Sequence, residues 1–445
     1  MNMYKKIKED NQKNIDLLNI KRVKFKNELW TPNSFDKVTT IKTNSWFNIS
    51  KKYKNIQSQD FDFIKSEKLD TPSFKCKKVI VKPSKFQTNV LLKWMESYVR
   101  MENETIKFLK MRQFNGEPII TNFKVIRTKY LKNIKEIIWN HTQLPNCEHN
   151  TKINKHILDN AIKDVCTMYK SCFANMKSNN IKHFRVRYIK QNKPKKIIKL
   201  ESGLFSKKIK GFCVNVLGEI EMNGNDFDSK KIGHTCTLQY NSNINIFILY
   251  VPVDVKVNKN NETDNKLNIG IDPGITPFLN GYTETHCIEI CTNIKDKIIP
   301  ILHKIDKLQS VNQHKGMKKR YNKIENIIND LHWKTIEYLT NKYKVISLGN
   351  LSTKDISKCK HLNKMSKRLG FLLRLLVFRE RLKYKCAIKR IKYIKMKENM
   401  TTKLCSSCGF TNNIGSSKIY ECKQCKNIVA RDLNSAKNIF MLSLK

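Results

Sequence analysis

The chain has 445 residues, 40% of them hydrophobic, and carries 86 Lys and Arg against 38 Asp and Glu, a formal charge of +48. Such length and apolar content suit several packed domains, and so large a positive field repels itself unless a polyanion takes it up, which points to nucleic acid. The basic residues are spread along the whole chain and no run approaches the roughly 18 apolar residues of a membrane helix, so a membrane-surface or membrane-spanning protein is excluded. The start, "MNMYKKIKEDNQKN", is charged where a signal peptide needs an apolar run, and an intracellular location is expected. Ten of the 14 cysteines are scattered, among them Cys166, Cys213 and Cys386. They read as buried thiols rather than a disulfide framework.

Residues 1–75 are rich in Lys, Asn, Ser and Asp without a sustained period of 2 or 3.6, which predicts a basic, loosely ordered extension. The hexamer "KRVKFK" (21–26) within it suits a localisation signal or a phosphate-binding arm, although a solvated basic stretch explains it as well. "CKKVIVK" (76–82) reads as a strand, and Pro83–Ser84 then stops it and starts a helix over 86–110. A second helix is predicted over 154–176, with Leu158, Ala161, Val165, Met168 and Cys172 forming a core stripe. "KHFRVRYIKQNKPKK" (182–196) alternates Phe184, Val186 and Tyr188 with Arg185, Arg187 and Lys190, the pattern of a basic-faced strand suited to a phosphate backbone. Short β-like runs continue through 211–223 and 244–257, and "NKNNETDNK" (258–266) is a linker.

"LNIGIDPGITPF" (267–278) alternates Leu267, Ile269 and Ile271 with Asn268, Gly270 and Asp272, a strand that carries Asp272 at its tip. Ordinary Asp-Pro-Gly turn chemistry accounts for that aspartate equally well. Helix is predicted over 324–343, a buried strand at Val345, Ile346 and Leu348, and one helix through 371–386 with Phe371, Leu375, Phe378 and Leu382 inward. In "IKYIKMKENMTT" (391–402), Ile394, Met396 and Glu398 share a face. A carboxylate on an apolar face is costly unless a cation meets it, which singles out Glu398. Asp432 lies where "NIVARDLNSAKNIF" (427–440) becomes helical, and a helix N-cap is its competing explanation. Three acids on separate elements of a polyanion-binding protein can converge on two Mg²⁺ ions, or Mn²⁺ in their place, for phosphodiester hydrolysis.

Cys405, Cys408, Cys422 and Cys425 give C-x₂-C-x₁₃-C-x₂-C. Two such pairs suit one tetrahedral Zn²⁺, structural because four thiolates leave no position open for water. Cys287 and Cys291, with three residues between them, lack a second pair and read as ordinary thiols.

Residues 76–440 resemble the TnpB/Fanzor family of transposon-associated RNA-guided nucleases. The matching stretches are "IGIDPGI", "KYKVISLGNLS", "TTKLCSSCG" with "YECKQC", and "ARDLNSAKNI". The resemblance implies a multidomain α/β protein: an RNase H-like RuvC nuclease domain (266–403 and 428–445) with an inserted zinc ribbon (404–427), a β-barrel wedge domain (76–82 and 180–260) and a helical recognition lobe (83–179). It implies a structured guide RNA, double-stranded target DNA with a short flanking motif, a monomer, and a nuclear site of action in a eukaryotic or viral setting or a cytoplasmic one otherwise. The bacterial pattern places an acid after the second-motif strand, where this chain has Gly349 and Asn350. Eukaryotic and viral Fanzor members resemble this chain in moving that glutamate to the position of Glu398, with Asp272 and Asp432 completing the set; Asp355 is nearer but a weaker substitute, since it follows Ser352 and Thr353 in a segment that reads as a loop. A nuclease-dead guided binder and an unguided RuvC-like transposition accessory nuclease remain the alternatives.

Overall fold

The computed structural model describes residues 37–444 except 43–45, 54–62, 66, 68, 70–73, 146, 224–227, 229–231, 256–266, 352, 359–361, 399 and 416. The chain divides into two compact units, one drawn from residues up to Pro72 and from Lys256 onward, the other from Ser73–Val255. Among the described residues no helix is long and apolar enough to cross a membrane.

The first unit opens with β1 (Lys37–Lys42) and β2 (Asn48–Tyr53), an antiparallel pair in which Lys42 faces Asn48. Both lie in the stretch expected to be loosely ordered. They are ordered because Phe47 and Ile49 are buried in the core and β2 pairs with a later strand. The hexamer at 21–26 lies outside the described residues.

The second unit runs β3 (Phe74–Lys82), α1 (Lys85–Phe114), α2 (Lys132–Asn140), α3 (Lys155–Lys177), β4 (Lys195–Leu200), β5 (Glu221–Asn223), β6 (Cys236–Asn241) and β7 (Ile246–Asp254). Ser84 caps α1, as the sequence anticipates, with Gln87 capping reciprocally, and Asn154 caps α3. The strands form an antiparallel sheet ordered β4-β6-β7-β3-β5. Among the described residues its end strands, β4 and β5, do not pair, so these five strands do not by themselves close the expected barrel. Two stretches read as strands do not supply the missing ladders. Residues 182–194 carry no strand pairing; instead the Asn103 side chain takes both backbone groups of Ile189, accepting from its N–H at 2.7 Å and donating to its carbonyl at 2.9 Å. In 211–223, Cys213 adopts φ +48° and a helical turn at Val214–Leu217 leaves only the short β5.

The first unit resumes with β8 (Leu267–Pro273), β9 (Leu279–Tyr282), β10 (His286–Ile290), α4 (Ile294–Ser310), α5 (His314–Lys342), β11 (Tyr343–Gly349), α6 (Lys364–Leu372), α7 (Leu375–Lys389), β12 (Lys392–Met396), the hairpin β13 (Ile419–Glu421) and β14 (Ile428–Ala430), and α8 (Arg431–Leu442). Its seven-stranded sheet has the order β1-β2-β10-β9-β8-β11-β12. β8, β9 and β10 form an antiparallel meander, while β11 and β12 run parallel to β8 after helical crossovers. One face carries Ile269, Ile271, Ile346, Leu348 and Tyr393 into a core with α4, α5 and α7. On the other, Val345, Ile394 and Met396 pack with Ala436, Ile439 and Phe440 of α8. This approach requires Gly270, since a Cβ there would stand 2.6 Å from the Phe440 backbone nitrogen and 2.7 Å from the Ala436 carbonyl. The helix expected over 371–386 is two helices, because Arg374 takes φ +49° between α6 and α7. Phe371, predicted inward, is 49% exposed as a result.

Candidate active site

Parallel pairing fixes where the acids lie. Ile271 of β8 is level with Leu348 of β11, and Gly349 is level with Met396 of β12. Asp272 and Gly349 therefore stand abreast at the carboxyl ends of neighbouring strands, and two residues past Met396 comes Glu398. A Cβ added to Gly349 would collide with Glu398 Oε1 and lie 2.9 Å from Pro273 Cδ. The Glu398 carboxylate thus fills the space that a side chain at position 349 would need. Asp432 arrives from the other direction, in the first turn of α8. It is not the N-cap: that place is held by Ala430, with no side-chain cap bond. Asp355 falls within a short helix, Thr353–Lys358, and its side chain lies outside the described residues.

Asp272 is buried, and its carboxyl is held well above the usual carboxylate range, first by burial and then by the charges of Glu398 and Asp432. A hydrogen bond with Ser435 and the Arg431 guanidinium pull the other way. Glu398 and Asp432 are therefore both near enough for their charges to act on Asp272. Arg431 reaches Asp432 Oδ1 at 3.0 Å through Nε and donates to the Ser417 carbonyl at 3.2 Å. A buried carboxyl with two further acids near enough to raise it suits a divalent cation, whose charge would offset that repulsion. The donor set, all carboxylate oxygen, fits a hard ion such as Mg²⁺.

The four cysteines converge. Their sulfurs lie within 4.8 Å of one another, with Cys405 and Cys425 3.7 Å apart and Cys408 and Cys422 3.4 Å apart. Those separations match the edge of about 3.8 Å that a tetrahedron with metal–sulfur bonds of about 2.3 Å requires. Each pair sits on a tight turn. The Ser407 and Cys425 N–H groups donate to Cys405 and Cys422 Sγ, and the residue after each second cysteine has positive φ, Gly409 at +87° and Lys426 at +58°. Cys287 and Cys291 are buried free thiols apart from this cluster, and Cys166 and Cys386 are buried as expected. Cys76 departs from that expectation and is exposed, and Cys147, Cys172 and Cys213 are only partly buried.

The sequence reading overlooked what joins ribbon to helix. Asn434 donates to the Leu404 carbonyl at 2.7 Å and accepts from the Ser406 N–H at 2.8 Å. Asn438 donates to the Thr401 and Leu404 carbonyls at 2.8 Å, and Ser435 meets Thr401 Oγ1 at 3.0 Å. All three are buried. The available signal was two amides at i and i+4 on the helix face opposite Ala436 and Phe440, because amides buried on a second packed face need partners.

Strands, crossovers, a three-acid cluster and a cysteine ribbon define a multidomain α/β protein with its polar site at the strand carboxyl ends. Residues 377–439, spanning Glu398, the ribbon and Asp432, match the family described as Cas12f1-like, TNB domain. The chain is 31% identical to TnpB-like protein L79 of Acanthamoeba polyphaga mimivirus, covering 94% of this chain and 86% of that protein, and 31% identical to TnpB-like protein L770 of the same virus with equal coverage. It belongs to the TnpB-like family. Among solved structures, the Cas12f1–sgRNA–target DNA complex is similar at a TM-score of 0.33 and 14% identity, covering 82% of this chain and 98% of that one.

Proposed function

We propose that this protein is an RNA-guided DNA endonuclease of the Fanzor type, with an RNase H-like RuvC site formed by Asp272, Glu398 and Asp432. The observation that carries the reading is Gly349: the position that holds an acid in the bacterial pattern is bare, and the Glu398 carboxylate occupies its space beside Asp272. Divalent ions bound by these acids would activate water and stabilise the leaving oxygen of a phosphodiester. Within the chain, Asp272 and Glu398 are presented from rigid strand ends and Asp432 from a helix. Ser435 bonds the Asp272 carboxyl and orients it. Arg431 steadies Asp432 while tying it to the ribbon at Ser417. The ribbon holds one structural Zn²⁺ on Cys405, Cys408, Cys422 and Cys425 and takes no part in the chemistry.

Guidance rests on the resemblance of the motifs to the TnpB/Fanzor family and on the +48 charge, which suits a polyanion partner. Sequencing RNA that co-purifies with the protein, then cleaving matched DNA in Mg²⁺ with wild type and Glu398→Ala, tests it. Cleavage by wild type alone is the expected result. Equal cleavage by both removes Glu398 from the site, and matched-DNA binding without scission by either protein favours a nuclease-dead guided binder.

A further inference from the structure

β9 places a buried amide beside the acids. Asn280 is 4% exposed, and its Nδ2 is closed off from solvent with no hydrogen-bond partner among the described residues. A buried donor left unpaired destabilises the fold that holds it. Register and alternation give its place. Asn280 stands directly opposite Asp272 in the antiparallel β8–β9 ladder. Its neighbour Gly281 faces the core, where a Cβ would meet Ile269 and Ile288, while Tyr282 packs on Phe440 of α8 with ring centroids 5.5 Å apart. Asn280 therefore shares the α8 face with Asp272, and directly opposed residues carry their Cβ atoms about 5 Å apart. Two more unpartnered atoms on this face, Asn268 Oδ1 and Ser347 Oγ, lie earlier in β8 and β11, behind Asp272 and Gly349.

The other acid opposite Asn280 is Glu289 of β10. Lys52 bonds its Oε1 at 3.2 Å and its side chain is 29% exposed, so a cation and water already satisfy it. Asp272 is buried and has one side-chain bond, from Ser435, to set against about four acceptor positions on a carboxylate. We infer that Asn280 is a positioning residue of the metal site, its Nδ2 donating to the Asp272 carboxylate once that group is bound to a divalent cation. This role rests on the metal site proposed for Asp272, Glu398 and Asp432. Carboxylate ligands depend on such outer hydrogen bonds, and losing one costs about 10- to 100-fold in metal affinity. Within the chain Nδ2 has no bond to lose, so its removal should weaken the metal and spare the fold.

The test uses full-length, zinc-loaded protein freed of nucleic acid, whose phosphates would bind the probe. The probe is Mn²⁺, followed by the electron paramagnetic resonance of the free ion and by melting temperature. Asn280→Leu keeps the branched shape and removes the amide. It is expected to melt at or above the wild-type temperature without Mn²⁺, to bind Mn²⁺ about tenfold or more weakly, and to lose most of the rise in melting temperature that Mn²⁺ gives wild type. Asn280→Thr and Asn280→Val form a second pair of matched shape, of which only the first retains a donor, and Asn280→Thr should bind Mn²⁺ more tightly. Asp272→Asn sets the scale for loss of the site. Wild-type Mn²⁺ affinity in a folded Asn280→Leu, with Asp272→Asn impaired, overturns the positioning role. Equal affinities in the Thr and Val variants do so even where Asn280→Leu does not fold. Mn²⁺ held by Asp272→Asn as tightly as by wild type overturns instead the three-acid site beneath it.

Discussion

Glu398 and Gly349 are complementary in shape: the carboxylate of one lies where the side chain of the other would be. Gly349→Ala should therefore expel the Glu398 carboxylate from beside Asp272 while leaving the sheet intact. A displacement of about 1 Å at a reacting centre costs about 100-fold. Single-turnover cleavage by Gly349→Ala should fall by that factor, and Gly349→Ala/Glu398→Ala should be no slower than Glu398→Ala alone, because both changes remove one interaction. Multiplying losses would mean that the two residues act independently.

Asn438 should matter to the ribbon more than to the helix that carries it. Asn438→Ala withdraws the donor shared by the Thr401 and Leu404 carbonyls, which costs about 1–3 kcal/mol for buried acceptors left short. Hydrogen exchange is expected to quicken across 401–411 and at the start of α8, with β1, β2 and β10 unchanged. Uniform loss of protection over the whole unit would indicate a general core defect instead.

Removing the ribbon's metal should act locally in the same way. Wild-type protein should carry about one zinc per chain, and Cys422→Ser should carry none, since three thiolates do not fill a structural tetrahedron. Proteolysis is then expected to cut within 404–427 first. Full zinc content in Cys422→Ser would show that the metal sits elsewhere.

Glu102 of α1 predicts a pH dependence. Burial first, and then the charge of Asp164, raise its carboxyl to about 7, against the opposing pull of Lys193 and Lys199. The folded chain thus keeps a proton there that the unfolded chain releases at an ordinary glutamate value, so stability falls as pH rises through that window and levels off above about 7. Glu102→Gln removes the penalty. Urea unfolding should find the variant more stable above pH 7, by about 3 kcal/mol at most from 1.36 kcal/mol per unit, and not below pH 4.5. A difference independent of pH would contradict this origin.

Local patterns in the sequence located α1, α3, the strand bearing Asp272, the suspicion on Glu398 and the two cysteine pairs, because each is written in a single periodicity or spacing. What they could not express are relations between distant segments. β2 is polar along most of its length and becomes a strand because β10 offers it a ladder. The run at 182–190 alternates like a strand, yet Asn103 satisfies its backbone at Ile189 and no strand pairs with it. Gly349 looked like a lost ligand until register placed it level with Met396 and under the Glu398 carboxylate. The Asn434 and Asn438 contacts join residues about one ribbon apart, which no short-range pattern records.

The bridge between Phe63 and Leu444, with the Ile64 N–H donating to the Ser443 carbonyl at 2.9 Å, has a consequence for synthesis. As the chain emerges from the ribosome, everything needed for the unit at 73–255 is present long before β2 meets β10, and Phe63 waits until residue 444 has been made. Contacts of such separation form late. The nascent protein would thus hold a finished unit at 73–255 at a stage when Asp272, Glu398 and Asp432 have not yet been brought together.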